Sequence, residues 1–92
     1  MGIHTHYKQQ KNKIIMKLYL ISQTVNDGYD TYDAFVVCAE NEDDAKRVRD
    51  LESDENWGYS WVRKYEEIEV KYLGEADASL ERGEILGSFN AG

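Results

Sequence analysis

Apolar residues occupy both sides of an extended chain from Ile14 to Gln23. Met16, Leu18 and Leu20 point one way, and Ile15, Lys17, Tyr19 and Ile21 point the other. A strand with apolar residues on both sides belongs in the middle of a sheet with at least one face covered. Ala34–Ala39, AFVVCA, is a continuous apolar run of the kind a buried strand shows. Between these runs lies a polar stretch, Thr24–Tyr29, whose Asn26-Asp27-Gly28 suits a tight reversal with positive φ. The two runs are therefore expected to form a β-hairpin, and the rest of the chain to assemble on it.

Downstream the period changes. Glu40–Glu52 is expected to be a helix, with Asn41 as N-cap, Asp44 as a capping partner, and acids ahead of bases. Ala45, Val48 and Leu51 give it a narrow apolar stripe to lay across the sheet. Ser53–Ser60 reads as a loop, after which Trp61–Leu73 reads as a third strand with Ile68, Val70 and Tyr72 on one side. Within it, Val62–Glu67 also suits a helical turn. Ala76–Arg82 fits a short helix closed by Gly83, and Glu84–Phe89 a fourth strand in which Gly87 marks a bulge or a close backbone approach. The expected fold is a small α+β domain in the order β-β-α-β-(short α)-β. Its antiparallel sheet of about four strands would carry helix on one face.

Charge divides the chain. Its 92 residues carry −7 overall, yet residues 1–15 hold three lysines and no acid, leaving −10 on residues 16–92 with eight bases against 18 acids. The first fifteen residues lack any apolar period and read as a flexible basic leader, frayed or not native, with Met16 as an alternative start. Residues 16–92 read as one domain. An acidic domain of this kind disfavours direct binding to nucleic acid or to anionic lipid, although it suits a basic protein surface. No apolar run approaches the ~20 residues of a membrane span. One cysteine, Cys38, permits no intrachain disulfide and fits a reducing, cytosolic setting, with the thiol itself read as core packing.

Candidate chemistry is sparse. His4 and His6 share one side of the leader but have no acid or thiol nearby to complete a metal site. No phosphate-cradling glycine loop, CxxC or HExxH occurs. With both histidines in the leader, a Ser-His or Cys-His centre within the domain is not expected. Asp30 and Asp33, with Asp27, could pair as carboxylates or hold Mg²⁺, but three acids in a loop are more often a solvated turn. Binding suits Tyr29-Asp30-Thr31-Tyr32-Asp33 better than catalysis. The candidate partner-binding residues there are Tyr29, Asp30, Tyr32 and Asp33, the tyrosines supplying rigid contact area and the acids pairing with arginine or lysine. Trp57, Tyr59 and Trp61 alternate and would share a face if extended, either as a recognition platform or as a lid on the core.

Several blocks in fixed order carry a resemblance. Lys17–Gln23, Tyr29–Asp33, Val36-Val37, Tyr72–Ala76 and Ser88–Gly92 together resemble a family of small uncharacterised phage and prophage proteins. The resemblance spans Met16 to Gly92, departing in the leader and in the charged Trp61–Glu67 segment. It carries no established activity, but by analogy with small acidic phage accessory proteins, and with no catalytic motif in the domain, a non-enzymatic, cofactor-free phage accessory protein in the host cytoplasm is expected. Such a protein would inhibit a host defence factor, of anti-CRISPR or other anti-defence type, by docking an acidic, tyrosine-rich face on a basic protein surface. Two alternatives stand beside this. One is a sponge or small enzyme for a nucleotide signal, which would require Arg47, Arg49, Arg63 or Lys64 to gather at one pocket with Trp57, Tyr59 or Trp61 stacking a base. The other is an assembly factor that associates with itself through exposed aromatics.

Overall fold

The computed structural model describes residues 15–52 and 57–90. The leader up to residue 14, with His4 and His6, lies outside them, as do the side chain of Trp57 and the start of the loop expected at Ser53–Ser60.

Four strands form one antiparallel sheet: β1 (Lys17–Ser22), β2 (Thr31–Ala39), β3 (Glu69–Glu75) and β4 (Gly83–Asn90). Their spatial order is β3-β1-β2-β4. The expected hairpin forms, with Tyr19 opposite Val37 and Ile21 opposite Phe35. β1 and β2 are the central pair; the core covers one of their faces, while Leu18, Leu20 and Val36 on the other are half-buried. The α+β architecture expected from the sequence is the one observed.

One face of the sheet carries the core. Tyr19, Ile21, Phe35, Val37 and Ala39 are buried there against Ala45, Trp61, Val62 and Ile68. Ala45 sits in α1 (Glu42–Lys46) and Trp61 directly follows the single turn α2 (Trp57–Ser60). Trp61 is fully buried, its indole edge-on to the Phe35 ring at 4.9 Å between centroids. Burying a side chain of this size contributes more to a small core than any other single residue type. Arg49 completes this face in an unexpected way. Its guanidinium lies 4.1 Å from the Phe35 ring centroid and 5.0 Å from that of Tyr32, while Nε donates to Glu84 Oε2 at 3.1 Å. In the sequence Arg49 is one more base in a charged run; the structure uses it as a plug between the core and β4.

Three bulges adjust the sheet. Leu73, Ile85 and Asp33 are each an extra residue relative to the facing strand. An extra residue reverses which side the following residues occupy. Thus Tyr32 joins Phe35 on the core side, with ring centroids 4.6 Å apart, although the two are three positions apart. The strand boundaries shift accordingly: β2 begins at Thr31 rather than Ala34, so Thr31, Tyr32 and Asp33 belong to the strand, while Thr24–Tyr29 remains the connection.

The helix expected over Glu40–Glu52 is α-helical only from Glu42 to Lys46. Its N-cap is as expected, Asn41 Oδ1 accepting from the Asp44 N–H at 2.8 Å, and Asp44 Oδ2 accepts from the Glu40 N–H at 3.0 Å. The strand expected over Trp61–Leu73 is a 3₁₀ turn, Tyr65–Glu67, followed by β3, so the helical-turn alternative holds there. The short helix expected over Ala76–Arg82 is instead a turn closed by Leu80 N donating to Asp77 O at 3.0 Å. Gly83, expected as a helix stop, opens β4 with φ at +145°.

Candidate functional site

The β1–β2 connection owes its shape to a buried amide. Gln23 is 4% exposed. Its Nε2 donates to Asn26 O at 2.7 Å and to Tyr32 O at 2.8 Å, and its Oε1 accepts from the Asn26 N–H at 2.8 Å. Asn26 in turn donates from Nδ2 to Trp61 O at 2.8 Å, tying the loop to the core tryptophan. Each such group left without a partner would cost about 1–3 kcal/mol. The reversal is therefore a wide, clasped loop rather than a tight Asp-Gly turn. Positive φ falls on Asp30, at 61°, and not on Gly28. Aspartate tolerates this left-handed geometry better than most side chains do.

The tip of the loop is fixed to the end of β4. Asp30 N donates to Asn90 O at 2.6 Å, Asn90 Nδ2 donates to Gly28 O at 3.2 Å, and Thr31 Oγ1 donates to Gly28 O at 2.6 Å. Tyr29 projects from this braced tip and is 78% exposed. Asp27, Asp30 and Asp33 are exposed around it. Tyr32 behaves differently. It is half-buried, its ring between those of Phe35 and Phe89 at 4.6 and 4.7 Å, with Arg49 over it. Of the loop residues singled out in the sequence, Tyr29, Asp30 and Asp33 are free to meet a partner and Tyr32 is chiefly structural.

The aromatic trio does not share a face. Tyr59 is 73% exposed in α2, Trp61 is in the core, and the side chain of Trp57 lies outside the described residues. A helical turn from Trp57 to Ser60 removes the alternation that an extended chain would have given. Trp61 can stack no base from inside the core. Its indole Nε1 is buried without a hydrogen-bond partner among the described residues.

Basic residues do gather to a degree. Arg47, Arg63 and Lys64 line a shallow groove beside Tyr65, but Glu52 and Glu66 line it too. Arg47 lies 4.6 Å from the Tyr65 ring centroid and pairs with Asp43 at 3.1 Å. Arg49 is not part of this groove. A site with two carboxylates among its three cations offers a phosphate little net attraction.

Among the described residues no three His, Cys, Asp or Glu side chains are placed to hold a metal ion. No helix among them is long and apolar enough to cross a membrane. Cys38 is fully buried, and burial pushes its thiol pKa up, away from the reactive thiolate. The Asp44 carboxyl is pushed up by burial, but the Arg82 hydrogen bond, the Glu40 N–H and the Arg82 charge together hold it below its ordinary value.

The sequence reading missed the sheet's other face and its β4 edge. The registers place Lys71, Leu20, Val36 and Leu86 in one row across the four strands, and Glu69, Ser22, Ala34 and Ser88 in the next. A hollow of about 320 Å³ lies here, lined by Leu20, Ala34, Val36, Leu86 and Ser88. Leu86 is 68% exposed. The available signal was composition: β4, Gly83–Asn90, contains a single charged residue, Glu84. Strand order, which makes β4 an edge, was not readable. Comparison with protein-family models, with curated proteins and with solved structures finds no match.

Proposed function

We propose that this is a non-catalytic binding protein that docks an acidic, tyrosine-bearing rim on a basic surface of a partner protein. In the setting that the sequence resemblance implies, it is a phage accessory protein and the partner is a host defence factor. The observation that carries the reading is the braced loop tip. Tyr29 is 78% exposed with Asp27, Asp30 and Asp33 about it, while the backbone beneath is held by Gln23, Asn26 and Asn90. A rim fixed in advance loses little conformational freedom on binding, so its contacts are not offset by ordering costs. The −10 charge of residues 16–92 favours encounter with a cationic surface.

The test is capture from a bacterial host lysate by the wild type and by a Tyr29→Ser/Asp33→Asn double variant. Both substituted side chains are exposed, so folding should be retained, as circular dichroism would verify. Tyr32 is left intact because its ring is packed. We expect one host protein to be retained by the wild type and lost by the variant. Equal capture by both would remove the rim from the account.

A further inference from the structure

The two edges of the sheet are not alike. β3 reads EVKYLGE, with three charged residues and a bulge at Leu73, features that discourage another strand from pairing. β4 has one charged residue, near its start, and every residue from Glu84 to Phe89 is exposed. Beyond the bulge at Ile85 its pairing to β2 is regular from Leu86 to Ser88. Among the described residues no strand covers its outer side. Alternate residues of such an edge present unpaired N–H and C=O groups outward.

We propose that the outer edge of β4 is a strand-addition site. Its occupant is an extended segment of another protein that runs antiparallel to β4, alternates apolar and polar residues, and carries arginine or lysine at its amino-terminal end. This rests on the acidic rim as a docking surface and extends that surface along the sheet. Direction and charge follow from the geometry. The Asn90 end of β4 is bonded to Gly28 and Asp30, so the rim stands at the end of the edge. A strand running antiparallel, as every pair in this sheet does, brings its amino-terminal end to that rim. Apolar side chains on that face of the segment would lie beside Leu86, which is 68% exposed.

Charge also decides against a second copy of this chain as occupant. Two β4 strands paired antiparallel would bring no cation to either rim, since Glu84 is the only charged residue of β4 and Arg49 already holds it. A basic-ended foreign segment, by contrast, is attracted to the rim.

The probe is a capped peptide of about eight alternating valines and threonines with two arginines at its amino end. A second peptide has the arginines at its carboxyl end, and a third has glutamates in their place. Binding is read by fluorescence anisotropy and by hydrogen exchange at the amides of residues 86–90. The amino-terminal arginine peptide should bind about fivefold or more tighter than either other peptide. It should also slow exchange at those amides. N-methylation of its alternate amides in one phase should weaken binding about tenfold or more, and in the other phase hardly at all.

Absence of β4 protection with every peptide, or equal loss in both N-methylation phases, would overturn the proposal. Protection of β4 with no preference among the peptides would refute the rim while leaving the edge. Preference without protection would refute the edge while leaving the rim. Protection that rises with protein concentration in the absence of peptide would overturn the proposal in favour of self-pairing.

Discussion

Gly87 shows how far one missing side chain organises this molecule. A Cβ built there would stand 2.7 Å from Phe35 Cε1 and 2.8 Å from Cδ1, closer than packed atoms tolerate. The Phe35 ring has no room to yield, because Tyr32, Trp61 and the Arg49 guanidinium surround it. Gly87→Ala should therefore cost about 1–3 kcal/mol, the usual penalty of overpacking. A lower urea midpoint at an unchanged slope would be the signature, and an unchanged midpoint would mean the ring moves freely. The sequence allowed this glycine to be read as a close approach because a glycine inside an apolar strand needs a reason. Arg49 gave no such hint, since a cation in a charged run looks like any solvated residue until its aromatic neighbours are known.

At the scale of elements, the ending of α1 is instructive. The charge pattern of Glu40–Glu52 suited one long helix, but Arg47 N and Val48 N donate to Asp44 O and Ala45 O, three residues back, as the last turn tightens. Leu51 N then turns to Tyr65 Oη at 3.1 Å. Tertiary partners decide that ending, and they lie too far along the chain for local pattern to reveal. The same holds for the candidate site. Its acidic, tyrosine-rich composition was legible, whereas the Asn26–Trp61 bond and the position of β4 at an edge depend on residues tens of positions apart. The start of α1, by contrast, is local and was legible in Asn41 and Asp44. Asp44 also carries a pH dependence. Arg82, from the turn before β4, sits 2.8 Å from Asp44 Oδ1 and so joins that turn to the helix. The Asp44 carboxyl is held below its ordinary value of 3.8, so its stabilising contribution is complete above that pH and is lost as pH falls through the lowered folded-state value. Asp44→Asn should therefore destabilise the protein most above about pH 4, with the difference from wild type closing at lower pH. Urea unfolding of both proteins from neutral pH to about pH 2 would reveal it; a gap that widens in acid would reverse the assignment.

For the whole molecule, salt should act in opposite directions on folding and on association. Residues 16–92 hold eight bases against 18 acids, so repulsion within the fold outnumbers attraction. The described ion pairs do not reverse this. Arg47–Asp43 is largely exposed and worth little, Arg49 is held by burial and by aromatic rings as well as by Glu84, and Arg82–Asp44 is a single partly exposed pair against the surplus of acids. Raising sodium chloride from about 20 mM to about 500 mM shortens the screening length from roughly 20 Å to roughly 4 Å, relaxing long-range repulsion first. The melting temperature should consequently rise by a few degrees, on the order of 1 kcal/mol of added stability. A basic partner drawn to the rim would feel the same screening as a loss, with affinity falling about tenfold or more and mainly through slower association. Thermal melts and association rates across one salt series separate the two effects. A protein that is stabilised by salt but binds its partner equally well throughout would be using its apolar edge alone, and the acids around Tyr29 would then serve only to keep the fold in solution.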